Sequence, residues 1–155
     1  MAPVIGGKAD TRFLSGGITQ ALATPPTPGA MEGIATLVNA FAGRVWLISK
    51  AGPNTQHKTG LWLEHQDFYT KTGVNARQIR FCLQRPEKAI HCQQLGITHF
   101  IDDRLDVLDH LRHCVEKRYL FGEQTTSQVV PPSITPVLTW PETVKRILSD
   151  LNYVR

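Results

Sequence analysis

At 155 residues, 41% of them apolar, the chain can bury the core of one domain and has no need of a second. Seventeen Lys and Arg against thirteen Asp and Glu leave a net charge of +4, but no basic run exceeds two residues, so nucleic-acid binding is permitted and not indicated. There is neither an apolar run of eighteen residues nor a basic-then-apolar leader, and Cys82, Cys92 and Cys114 are widely spaced and odd in number, so a soluble cytoplasmic protein with reduced thiols is expected.

In chain order, Met1-Ala2-Pro3-Val4-Ile5 offers only a stub of strand before Gly6-Gly7. Residues 15–29, rich in Gly, Thr and Pro, read as a surface connection closed by Thr27-Pro28, with Thr27 as helix cap and Pro28 at the first helical position. Met31, Ile34, Leu37, Val38 and Phe41 then fall on one helical face that ends near Gly43. Residues 44–49 form a continuous apolar run between Gly43 and Gly52-Pro53, the pattern of an interior parallel strand.

Asn54 or Thr55 caps the next helix, which carries Leu61, Trp62 and Leu63 and is followed by a turn at Lys71-Thr72-Gly73. Residues 79–83 make another strand, and Pro86 opens a helix with Ala89, Ile90 and Leu95 inward and Gly96 as its left-handed stop. A short strand through Phe100-Ile101 runs into Asp102-Asp103, after which Leu105, Leu108 and Leu111 recur at helical spacing. Residues 118–122 are one more strand, 123–139 an irregular Pro- and Thr-rich loop, and 140–152 a terminal helix with Val144, Ile147, Leu148 and Leu151 on one face. Strands alternating with helices imply an α/β fold with a parallel sheet covered on both faces.

Ligands of such sheets gather at the carboxyl ends of strands, and three kinds of polar group stand at that level here. Ser49 ends one strand, Arg85-Pro86-Glu87-Lys88 follows another, and Asp102 and Asp103 end a third. Adjacent carboxylates repel each other and raise one pKa unless a cation is present, so the pair asks for a divalent metal. A hydroxyl, an ammonium and a metal-bearing carboxylate cluster together suit a phosphoryl group. Against this, Asp102, Asp103 and Asp106 can also serve the N-terminus of their own helix. A zinc site built from His91, Cys92, His110, His113 and Cys114 lacks four-ligand spacing. Trp46, Trp62 and Trp140 read as packing residues.

The order Leu47-Ile48-Ser49-Lys50, Arg85-Pro86-Glu87-Lys88 and Phe100-Ile101-Asp102-Asp103-Arg104-Leu105-Asp106 resembles motifs II, III and IV of the haloacid dehalogenase-like hydrolases, over residues 28–122. The resemblance implies a single three-layer, Rossmann-like domain over residues 1–155 and a Mg²⁺-dependent phosphohydrolase acting on a phosphorylated substrate. In it Ser49 and Lys88 are catalytic, Ser49, Lys50 and Lys88 bind substrate, and Asp102, Asp103 and Asp106 hold Mg²⁺.

Motif I, an Asp-x-Asp at the end of the first, central strand, is absent: Val4-Ile5-Gly6-Gly7-Lys8 stands in its place, and Asp10 does not fit its spacing. Either that strand lies upstream of Met1, or the chain has lost catalysis and keeps the fold as a phosphate- or partner-binding protein. A sheet without its central strand leaves ladder groups unpaired on both neighbours and is expected to be unstable or to recruit a strand. The gaps between motifs leave no room for a lid domain, which implies an open site for bulky substrates.

Overall fold

The apolar runs become five short strands paired in parallel, most of them linked by helices, an α/β fold, because parallel neighbours cannot be joined by tight turns. The computed structural model describes residues 16–125 and 127–153, and the expected strand stub at residues 1–5 lies outside them. In chain order the elements are α1 (Ile18–Leu22), α2 (Ala30–Ala40), β1 (Leu47–Lys50), α3 (Pro53–His65), α4 (Phe68–Thr72) and a 3-10 turn (Ala76–Gln78). There follow β2 (Ile79–Cys82), α5 (Glu87–Leu95), β3 (His99–Asp102), α6 (Leu105–His110), β4 (Lys117–Phe121), β5 (Ile134–Val137) and α7 (Trp140–Tyr153).

β1 and β2 form one parallel pair, with Leu47 opposite Ile79 and Lys50 opposite Cys82. β3, β4 and β5 form a second parallel sheet with β4 in the middle, Asp102 opposite Leu120 and Leu120 opposite Pro136. Among the described residues no strand joins β1 to β3.

Period-two alternation sends neighbouring strand residues to opposite faces. Leu47, Ile101, Tyr119 and Val137 enter one apolar core with Ile34 and Leu37 of α2, Trp62 of α3 and Trp140 and Ile147 of α7. Ile48, Phe100, Leu120 and Ile134 enter another with Cys92 of α5 and Val107 and Leu108 of α6. Full burial of Leu108 and Leu111 contributes about 1.5–3 kcal/mol each. The Trp62 indole donates to the Thr24 carbonyl at 2.8 Å, which ties α3 to the segment between α1 and α2. No helix among the described residues is long and apolar enough to cross a membrane.

Several local expectations are corrected. Residues 15–29 are not wholly loop: α1 forms there because Ala21, 1% exposed, packs into the first core. Thr27-Pro28 does not cap α2. Gly29 does, at φ 79°, in a place where a Cβ would stand 3.3 Å from both Trp140 and Pro141 of α7. α3 starts at Pro53 behind Gly52 rather than behind Asn54 or Thr55, since Pro lacks only an N–H that the first turn leaves unused. Lys71-Thr72-Gly73 closes the short helix α4, with Gly73 as its left-handed cap.

Ile90 is half exposed, because the buried line of α5 runs through Lys88 and Cys92, one helical turn apart. The loop expected at 123–139 contains β5, which takes up the outer edge of β4. The Gly122 N–H donates to the Val137 carbonyl at 2.9 Å, so alternation turns the donorless Pro136 nitrogen outward, where an edge strand tolerates it.

Candidate functional site

β3 ends in Asp102, and the chain turns there into α6 through Asp103 and Arg104. The Arg104 backbone N–H donates to Asp102 Oδ1 at 2.9 Å, a local turn that locks the carboxylate plane. Lys88 Nζ donates to Asp102 Oδ2, also at 2.9 Å, with both side chains almost fully buried. Both Asp102 oxygens are therefore engaged.

Lys88 arrives from the first turn of α5. Glu87 steadies that turn, its Oε1 accepting the Gln84 N–H at 2.8 Å, and the Lys88 ammonium lies 6.0 Å from the centre of the Phe100 ring. An ammonium has three donors, and among the described residues one is spent on Asp102, so two are left to offer a ligand.

Burial and the adjacent Asp102 push the Asp103 carboxyl above the usual carboxylate range, and Lys88 opposes this only in part. The pair thus carries the repulsion expected of neighbouring acids, and a hard cation with oxygen ligands would relieve it. Asp102 and Asp103 offer such a cation two carboxylates. Among the described residues no group of three His, Cys, Asp or Glu side chains is gathered closely enough to hold a metal ion.

Asp106 stands nearer the surface. Its two oxygens accept from Arg104 at 3.1 and 3.2 Å and one also accepts the Val107 N–H at 3.0 Å, so the Arg104 hydrogen bond holds its carboxyl below the usual range. With its side chain 55% exposed, it serves the start of α6 at the surface.

Ser49, 2% exposed, and the exposed Lys50 end β1. α5 packs against both β1 and β2, which brings the Lys88 helix beside the Ser49 strand. Among the described residues the Ser49 hydroxyl bonds to neither Lys88 nor Asp102. The zinc alternative gains nothing: burial pushes the Cys92 thiol up to about 12, which disfavours a metal-binding thiolate.

Two positioning residues escaped sequence reasoning, Arg104 and Glu87. Their signals are short: an Asp followed two residues on by an N–H it can accept, and Gln84-x-x-Glu87 at capping spacing. The chain matches no protein-family model and no curated protein, so the chemistry of the Lys88, Asp102 and Asp103 group carries the functional reading.

Proposed function

We propose that the protein has the three-layer, Rossmann-like arrangement of the haloacid dehalogenase-like hydrolases and binds a phosphoryl group with Mg²⁺ at the carboxyl ends of β1 and β3. The observation that supports this is the buried Lys88–Asp102 pair beside an Asp103 whose ionisation is disfavoured. Lys88 turns its remaining donors to phosphoryl oxygens and Ser49 adds a hydroxyl donor, while Lys50 supplies positive charge at the rim. Asp102 and Asp103 hold Mg²⁺, with Asp106 the third acid on the family pattern. Bound there, Mg²⁺ neutralises phosphate charge and polarises its oxygens.

The chain carries no Asp-x-Asp, so on this reading it binds a phosphomonoester and does not turn it over. The second reading is a non-catalytic phosphate- or partner-binding protein that keeps the same fold.

Titration of inorganic phosphate into the protein, with and without Mg²⁺, tests the proposal by amide NMR shifts. Shifts at Ser49, Lys88 and residues 102–104 at millimolar phosphate are expected, and Lys88→Met is expected to abolish them. Mn²⁺ used as a paramagnetic probe is expected to broaden Asp102 and Asp103 first. Unmoved amides at these positions, or equal shifts in the Lys88→Met protein, would overturn the reading. Turnover of an aryl phosphate by this chain would overturn the assignment of binding without catalysis.

A further inference from the structure

Two of the three cysteines meet in the second apolar core. Cys92, 1% exposed, enters it from the buried line of α5, and the half-buried Cys114 packs against it from the turn that leads out of α6 toward β4. The Cys92 thiol feels Cys114 directly: burial pushes it up to about 12, and the neighbouring sulfur adds to that rise. Cys82, on β2, donates to the Ser49 carbonyl at 3.8 Å and is not part of that core.

A buried guanidinium stands at the same end of α6. Arg118 of β4 is 6% exposed; its Nη1 donates to the Leu108 carbonyl and its Nη2 to Ser133 Oγ, both at 2.9 Å, and its Nε–H has no acceptor among the described residues. The Cys114 thiol donates to the Leu111 carbonyl at 3.6 Å, one turn beyond the carbonyl that Arg118 holds. Burial pushes the Cys114 thiol up and the Arg118 charge opposes it. Of the two sulfurs, Cys114 is the more exposed and lies beside a fixed cation, so a reagent from solvent meets it first.

We propose that Cys92 and Cys114 are a redox pair that closes to an intramolecular disulfide between α5 and the turn after α6, with a low-molecular-weight disulfide as the oxidant. The Cys114 thiolate attacks one sulfur of the reagent; a mixed disulfide forms, the reagent's own S–S bond breaks, and one thiolate leaves with the electron pair. Cys92, its proton given to solvent, then attacks the Cys114 sulfur and expels the second reagent thiolate. Both leaving thiolates take up a proton, so the protein loses two electrons and two protons and the reagent gains them. The closed form costs the core little, because the Leu111 carbonyl that loses the Cys114 S–H keeps the Cys114 and Val115 N–H groups at 3.0 and 2.9 Å.

The loop that the bridge closes, residues 92–114, contains β3, Asp102, Asp103 and all of α6. Lys88 lies one turn ahead of Cys92 on the buried line of α5. The bridge thus ties the helix of Lys88 to the segment that carries its partner Asp102, and it restricts the unfolded chain, which stabilises the fold. The inference does not depend on the phosphate reading, since it rests on sulfurs that take no part in that site.

Incubation of the reduced protein with oxidised glutathione tests this by intact mass and peptide mapping. A loss of two hydrogens, a peptide cross-linked through Cys92 and Cys114, and a free Cys82 are expected. Cys92→Ala is expected to stop the reaction at a glutathione adduct on Cys114. In urea the cysteines have no fixed partners and all pairings should form, whereas in the native protein Cys92–Cys114 should exceed either alternative at least about tenfold. The bridged protein is expected to melt at least about 4 °C above the reduced one. Bridging through Cys82 or between two chains, a Cys114 adduct that persists in the parent protein, or thiols that all stay unreacted would overturn the proposal. So would an equal or lower Tm for the bridged protein, since the native fold would then not accommodate the bond. If Cys92→Ala unfolds, the cross-link map of the parent decides.

Discussion

Lys88→Met leaves Asp102 buried beside Asp103 with its cation gone, and the size of the effect can be worked from the geometry. At 2.9 Å and an effective dielectric of about 20, the Lys88–Asp102 attraction is about 6 kcal/mol. It offsets a desolvation cost of several kcal/mol for each ion, so the pair as a whole contributes little net stability. Removing one partner is different. The attraction disappears while the cost of burying Asp102 stays, a loss of about 3–5 kcal/mol.

The Arg104 N–H still bonds Asp102 Oδ1 in the variant, which places the expected loss near the lower end, about 3 kcal/mol. For a chain of this length that is a fall in Tm of roughly 6–12 °C. Urea unfolding at neutral pH measures it as a shift in midpoint at unchanged slope. The double variant Lys88→Met/Asp102→Asn removes both charges and is expected to lie within about 1 kcal/mol of the parent, giving a large coupling energy in the cycle. A loss below about 1 kcal/mol for Lys88→Met, or a double variant no more stable than the single one, would refute the assignment of a buried, mutually dependent pair.

Asp103 and the glycines give further tests. Because burial and Asp102 raise the Asp103 pKa in the folded state, the native protein keeps that proton to higher pH than the unfolded chain, and stability falls as pH rises through the window between the two values. Asp103→Asn should therefore be more stable than the parent at neutral pH and equal to it below about pH 3.9, the unfolded carboxyl value; urea unfolding across pH checks this, and a variant no more stable at neutral pH would contradict it. Gly33→Ala puts a Cβ 2.9 Å from Trp140 Cε3 and 3.2 Å from Val144 Cγ2, an overpacking cost of about 1–3 kcal/mol that exceeds the gain in helix propensity of about 1 kcal/mol. Gly60→Ala in α3 meets nothing within 4 Å and should instead gain up to about 1 kcal/mol, so equal unfolding midpoints for the two variants would show that α7 does not press on α2 as described.

Much of the fold was legible because its causes are local. The apolar run at Leu47–Ser49, the Gly96 stop at φ 64° and the Ile34 and Leu37 face of α2 each follow from spacing and backbone chemistry within one turn or strand. What was misread depended on partners distant in sequence. β5 exists because β4 offers an edge, α1 because Ala21 has a core to enter, and Gly29 is required because α7 comes within 3.3 Å of its Cβ position. Within the site, residue types were legible and allegiances were not. Lys88 and Asp102 stand fourteen positions apart and meet only because α5 packs over the strand ends, whereas Asp106, so close to Asp102 in sequence, is claimed by Arg104 at the surface.

From the sequence alone came the element types, their alternation and therefore the parallel α/β class, since hydrophobic period and turn chemistry act over a few residues. Only the tertiary structure decided which carboxylate takes the buried lysine and that, among the described residues, β1 and β3 share their cores without sharing a ladder. Ion pairing and strand pairing are settled by which surfaces meet after the chain has folded back on itself, and no local pattern encodes that meeting.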